Sequence, residues 1–194
     1  MKRRACRTGV CYSALVVVLS IITACGGGST TGPSSSAGTL TIRLTDSPFS
    51  DAQAVLVTFS EVSVHVSGGD FITLPFAPVA SSRTCDLKKL QGVSDVLGTG
   101  PLPPGHYTQI RLVVASAMIY FTRVSGPSPC ASGFTPPPGG TAMDIPSGDV
   151  RLNREFDVPP VTAITLDFDG DQSIKQTGSG RFVMTPVITV VGVQ

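Results

Sequence analysis

Asp167, Asp169 and Asp171 put three carboxylates within five residues, separated by Phe168 and Gly170. Carboxylate oxygens are the hard ligands that Ca²⁺ prefers. If residues 161–168 form a strand, Asp167 and Asp169 share one face, about 6–7 Å apart by strand rise. Asp171 follows a glycine turn that could swing it towards them. The EF-hand loop needs Gly at its sixth position and Glu at its twelfth. Here Gly170 stands fourth and Gly178 twelfth, so any Ca²⁺ site would be of another kind. The alternative is a solvated strand end whose Asp side chains accept from turn amides. Other chemistry-bearing residues are sparse. His65 and His106 are far apart and neither sits in a metal-ligand spacing; His65, between Val64 and Val66, is expected to face solvent. No Gly-x-Ser-x-Gly elbow, His-Glu-x-x-His helix or P-loop occurs, and no spacing selects a glycosidase-like carboxylate pair. Catalysis is not expected.

The cysteines carry the other chemistry. Lys2, Arg3, Arg4 and Arg7 open the chain without an acid, and an apolar run follows over residues 10–22. That run is shorter than the roughly 20 residues of a membrane-spanning helix and reads as a signal-peptide core, with residues 1–24 removed on maturation. It ends in Ile22-Thr23-Ala24-Cys25, which resembles the lipobox of bacterial lipoproteins: an aliphatic residue, two small ones and the modified cysteine. The resemblance implies alkylation of the Cys25 sulfur by a diacylglyceryl group, with palmitate-like acyl chains, and cleavage just before it. A thiol is the side chain best suited to that alkylation. Each buried methylene adds about 0.8 kcal/mol of membrane affinity, so two chains anchor stably. The alternative is an ordinary signal peptide that contains a cysteine. Gly26, rather than Asp, follows Cys25, which by the same resemblance favours the outer membrane in a Gram-negative host.

Residues 25–38 are almost wholly Gly, Ser, Thr and Pro. Such a tract buries too little to fold. It would act as a flexible tether reaching about 5–6 Å times the square root of its length. Cys6 and Cys11 fall in the discarded segment, which leaves Cys85 and Cys130. An even pair in a disulfide-permissive compartment suggests a bridge, contributing up to about 4 kcal/mol by chain entropy. Two unpaired thiols, or metal ligands without partners, are the alternatives.

The scaffold for these residues reads as all-β. Charged residues are 14% of the chain against 21 Gly and 16 Pro, which together with abundant Val, Ile and Thr favours short strands and turns. Without residues 1–24, ten basic residues face thirteen acidic ones, a net −3. No basic patch for nucleic acid is present. Leu40, Ile42 and Leu44 alternate with polar residues as a half-buried strand does, and Asp46-Ser47-Pro48 reads as its closing turn. Val55, Val57 and Phe59 keep one phase and Val62, Val64 and Val66 the other, which implies a bulge or bend at Ser60-Glu61. Gly68-Gly69 marks a hairpin into residues 70–74. Residues 86–90 could be a short strand or a helical turn. Residues 106–121 form the longest strand, and residues 125–140 an exposed loop that Cys130 could pin. Shorter strands flank Pro146-Ser147-Gly148. A last strand runs over residues 181–190, its Pro186 marking an edge or bulge. Seven to nine strands separated by turn signals predict a single antiparallel β-sandwich, Ig-like or prealbumin-like, over residues 39–194.

Several stretches carry a family resemblance. Gly38-Thr39-Leu40-Thr41-Ile42-Arg43-Leu44-Thr45-Asp46-Ser47-Pro48, Leu102-Pro103-Pro104-Gly105-His106-Tyr107-Thr108-Gln109-Ile110-Arg111-Leu112, Leu166-Asp167-Phe168-Asp169 with Ser173-Ile174, and Met184-Thr185-Pro186-Val187-Ile188 are similar to the bacterial lipoprotein family of domain of unknown function 4382. The resemblance implies an extracytoplasmic β-sandwich and brings no established activity or site residues. The 125–140 loop and its cysteine, with Cys85, stand outside the pattern. The Pro-Pro-Gly-His-Tyr turn also looks like one recurring in prealbumin-like and carboxypeptidase-regulatory-like sandwiches. There the Tyr107 ring would pack inward and its hydroxyl bond to nearby backbone, as in a tyrosine corner. The expectation is a lipid-anchored cell-envelope lipoprotein, non-catalytic, whose module contacts an envelope protein or glycan and no nucleic acid. The alternative is a calcium- or carbohydrate-binding accessory domain.

Overall fold

The computed structural model describes residues 36–47 and 51–194. Cys25, the expected signal segment and most of the tether therefore lie outside the described residues. The strands β1 (Gly38–Ser47), β2 (Ala54–Val66), β3 (Phe71–Thr73) and β4 (Arg83–Asp86) precede a 3₁₀ turn at Leu87–Lys89. Then come β5 (Asp95–Leu102), β6 (Gly105–Tyr120), β7 (Cys130–Ser132), β8 (Thr141–Ala142), β9 (Asp149–Val158) and β10 (Ala163–Asp169). One helical turn, α1 (Gly170–Ser173), leads into β11 (Ile174–Gln176), β12 (Phe182–Met184) and β13 (Ile188–Val193).

These strands form a four-stranded sheet, β13-β10-β1-β5, and a seven-stranded sheet in which β7-β4-β2-β6-β8 is extended by β3 on β2 and β9 on β6. β11 and β12 make a separate hairpin. The inward rows of both large sheets share one core: Leu40, Ile42 and Leu44 with Ile164, Leu166 and Phe168 from the first, and Val62, Val64, Ile110 and Leu112 from the second. Each such side chain contributes about 1.5–3 kcal/mol through burial, so the alternation of the sequence is what sets the layers. The fold is thus a sandwich of mostly antiparallel sheets. Seven strands, β1, β2, β5, β6, β9, β10 and β13, have six or more residues. The remaining strands are two to four residues long: β3 and β12 fall in the expected strands over residues 70–74 and 181–190, and the others in stretches without a clear strand pattern.

Some local expectations are refined. β2 is one strand, not two, and absorbs its phase change in register shifts at Thr58/Phe59 and Phe59/Glu61. Gly68, at φ +73°, turns the chain into β3. Within residues 86–90 lies the 3₁₀ turn Leu87–Lys89, capped by the Asp86 carboxylate, which accepts from the Lys88 amide at 3.2 Å. Pro186 separates β12 from β13, which pair with different partners, β11 and β10. A central proline leaves a ladder position without a donor, and here the strand simply divides.

Two findings were not expected. β1 pairs β10 in parallel, from Thr41 opposite Ala163 to Ser47 opposite Asp169. And β1 does not turn at Asp46. It continues through Ser47 because β10 pairs it to the end on one side, while on the other the Asp46 amide donates to the Leu90 carbonyl at 3.3 Å.

The Pro103-Pro104-Gly105 turn behaves as a tyrosine corner. Tyr107 is fully buried, stacks on Phe156 with ring centroids 5.4 Å apart, and donates its hydroxyl to the Pro103 carbonyl at 2.8 Å. Burial pushes its phenol pKa up. Tyr107→Phe leaves that carbonyl without this partner and is expected to cost about 1–2 kcal/mol, read as a lower denaturant midpoint at unchanged slope.

Candidate functional site

The parallel β1–β10 pair gathers the acidic residues at one end of the sandwich. Thr45 lies opposite Asp167, Asp46 opposite Phe168 and Ser47 opposite Asp169. Strand alternation sends Thr45, Ser47, Asp167 and Asp169 to the outer face, and Asp46 inward with Leu44 and Phe168.

On the outer face the predicted Asp residues find local partners. The Ser47 hydroxyl donates to Asp167 Oδ2 at 2.6 Å. Asp169 is the N-cap of α1: its carboxylate accepts from the Gln172 amide at 2.9 Å and from Gln172 Nε2 at 2.5 Å. This is the usual work of Asp before a helical turn. Asp171 follows on α1, exposed, at the rim of an open cleft of about 680 Å³ lined also by Lys175, Thr177, Val183 and Val187. Gly170 begins a helical turn rather than a free swing, so Asp171 leaves the line of Asp167 and Asp169. Among the described residues no three His, Cys, Asp or Glu side chains are grouped so as to hold a metal.

Asp46 is the residue that the sequence reading passed over. It is 4% exposed, and neither carboxylate oxygen has a close hydrogen-bond partner among the described residues, the Gly170 backbone N–H being only near enough to favour the charged form. Burial pushes its pKa up to about 8, helped by the charges of Asp167 and Asp169. The Gly170 amide and Lys88 act in the other direction. The signal was present: Asp46 continues the inward phase of Leu40, Ile42 and Leu44. Its place before Ser47-Pro48 made it read as a turn residue instead.

The histidines lie elsewhere. His65 is half-buried beside Phe71, with Nδ1 at 2.9 Å from the Thr108 hydroxyl, and His106 pairs on the surface with Asp157 at 2.8 Å. On the same outer face, Arg111 bridges Glu61 and Asp149, and Arg151 also pairs with Asp149. These charges satisfy one another.

Cys85 and Cys130 are direct partners in the β4–β7 ladder and form a disulfide. The Cys130 amide donates to Asp95 Oδ2 at 3.1 Å, and the same oxygen meets the buried Arg83 guanidinium at 3.5 Å. The predicted loop over residues 125–140 is thus fastened through β7, which among the described residues pairs with β4 alone.

Residues 37–186 match the model of one protein family, described as Domain of unknown function (DUF4382). No curated protein and no solved structure matches the chain.

Proposed function

Because the chain belongs to the DUF4382 family, whose description assigns no activity, we propose its role from the residues themselves: a lipid-anchored envelope lipoprotein whose sandwich is a non-catalytic binding or structural module. The observation that carries this reading is Ile22-Thr23-Ala24-Cys25, placed after four basic residues and a short apolar core. Thioether attachment of a diacylglyceryl group at Cys25 would hold the chain on a bilayer, and the Gly/Ser-rich residues that follow would let the sandwich stand off from it. The Cys85–Cys130 disulfide supports an extracytoplasmic location, since such bonds persist where thiols are not kept reduced. Gly26 favours the outer membrane if the host is Gram-negative. The module would meet an envelope protein or a glycan through its loops or edge strands, not nucleic acid, given its net negative mature charge.

The reading predicts the covalent state of the protein. Intact-mass analysis of the chain purified from membranes is expected to show a polypeptide starting at Cys25 and heavier than its sequence by a diacylglyceryl group. A chain starting at Met1, or one starting after residue 24 without added mass, would refute it.

A further inference from the structure

Asp46 is the one buried acid whose carboxylate oxygens both lack a close hydrogen-bond partner among the described residues; the Gly170 backbone N–H is near enough to favour its ionised form but does not offset its burial. Buried Asp86, by contrast, accepts from the Val55 and Lys88 amides and meets Lys89 at 3.5 Å. An unpaired ionised carboxylate in an apolar interior is costly enough that the group takes up a proton instead. Asp46 sits where three segments meet. Its own strand ends there, the parallel partner β10 gives way to α1, and residues 87–91 close the other side through the Asp46–Leu90 hydrogen bond and the Asp46–Gln91 bridge. The charged groups that act on it are Asp167 and Asp169 from β10, which oppose its ionisation, and Lys88 from the 3₁₀ turn, which favours it.

We propose that Asp46 is a buried proton-binding latch: its protonated carboxyl lets the ends of β1 and β10, α1 and residues 87–91 pack together, and its ionisation drives that junction open. The direction follows from linkage. In an opened junction the carboxyl ionises near its ordinary value of about 3.9, whereas the closed junction holds the proton up to about pH 8. Opening therefore releases a proton and becomes more favourable as pH rises between those values, then levels off. The latch lies about 26 Å along β1 from Gly38 at its start, by strand rise, so the pH-responsive end of β1 is the one away from where the chain enters the fold.

The test is amide hydrogen exchange on the full chain in detergent, corrected for the base-catalysed intrinsic rate. The Asp46 amide, which donates to Leu90, and the Gln172 amide, which donates to Asp169, report the junction. Their opening is expected to become about 100-fold more frequent from pH 5 to pH 7, tenfold per unit for one proton. In Asp46→Asn that slope should vanish. Should the variant fail to fold, infrared spectra of the wild type decide: a protonated-carboxyl stretch present at pH 6 is expected to be lost by pH 9. A wild-type opening that does not vary with pH, a slope retained in Asp46→Asn, or no protonated-carboxyl band would overturn the proposal. So would suppression of the slope by millimolar Ca²⁺, which would make a metal rather than a proton the occupant.

Discussion

Serine at both Cys85 and Cys130 is expected to lower the stability of the sandwich by about 4 kcal/mol. The two residues are 45 apart in sequence, and closing a loop of that size removes this much from the unfolded chain by entropy alone. The folded state offers little to offset the loss. β4 has four residues and β7 three, and among the described residues β7 pairs with no other strand. Without the bond, the ladder from Arg83 opposite Ser132 to Cys85 opposite Cys130 rests on a few hydrogen bonds, together with the Arg83–Asp95 ion pair. Both cysteines belong to the core cluster, so two buried sulfur atoms also lose their packing. Urea unfolding of the oxidised protein, the reduced protein and the double variant checks this. The last two should share a lowered midpoint, and exchange protection should fall first in β7. A midpoint shift worth less than about 1 kcal/mol would mean that loop closure is not what holds residues 125–140.

How far the fold could be read from the sequence depends on where the information lies. β1, β2, β6 and β10 carry their alternation in their own residues, and each falls close to its expected position. The phase change around Ser60 was legible for the same reason, since a bulge must show as a shift in the apolar row. What could not be read is pairing between distant segments. The parallel β1–β10 contact joins residues more than a hundred positions apart, and nothing in either stretch names the other. That contact keeps β1 extended through Asp46 and Ser47 against a composition that reads as a turn.

The candidate site shows the same division. Asp167, Asp169 and Asp171 were conspicuous because they are close in sequence. Their side chains serve Ser47, the cap of α1 and the rim of a cleft. Asp46 became visible only when its burial, and its lack of a close partner among the described residues, were known. The cysteine pair, in contrast, followed from counting: once residues 1–24 and Cys25 are set aside, two thiols remain, and they are neighbours across a ladder.

The larger effect is expected at Cys25. A serine hydroxyl does not replace the thiolate as the nucleophile for diacylglyceryl transfer, so Cys25→Ser should abolish lipid attachment outright rather than reduce it. The sandwich begins at Gly38, thirteen positions later, and does not include Cys25. The variant should therefore unfold in denaturant as the unlipidated wild-type domain does. The measurement is incorporation of a labelled fatty acid by cells producing the full chain, read on the purified protein. The wild type is expected to carry the label through Cys25 and the Cys25→Ser variant to carry none. A wild-type chain without label, or a serine variant labelled to the same extent, would contradict the lipoprotein account.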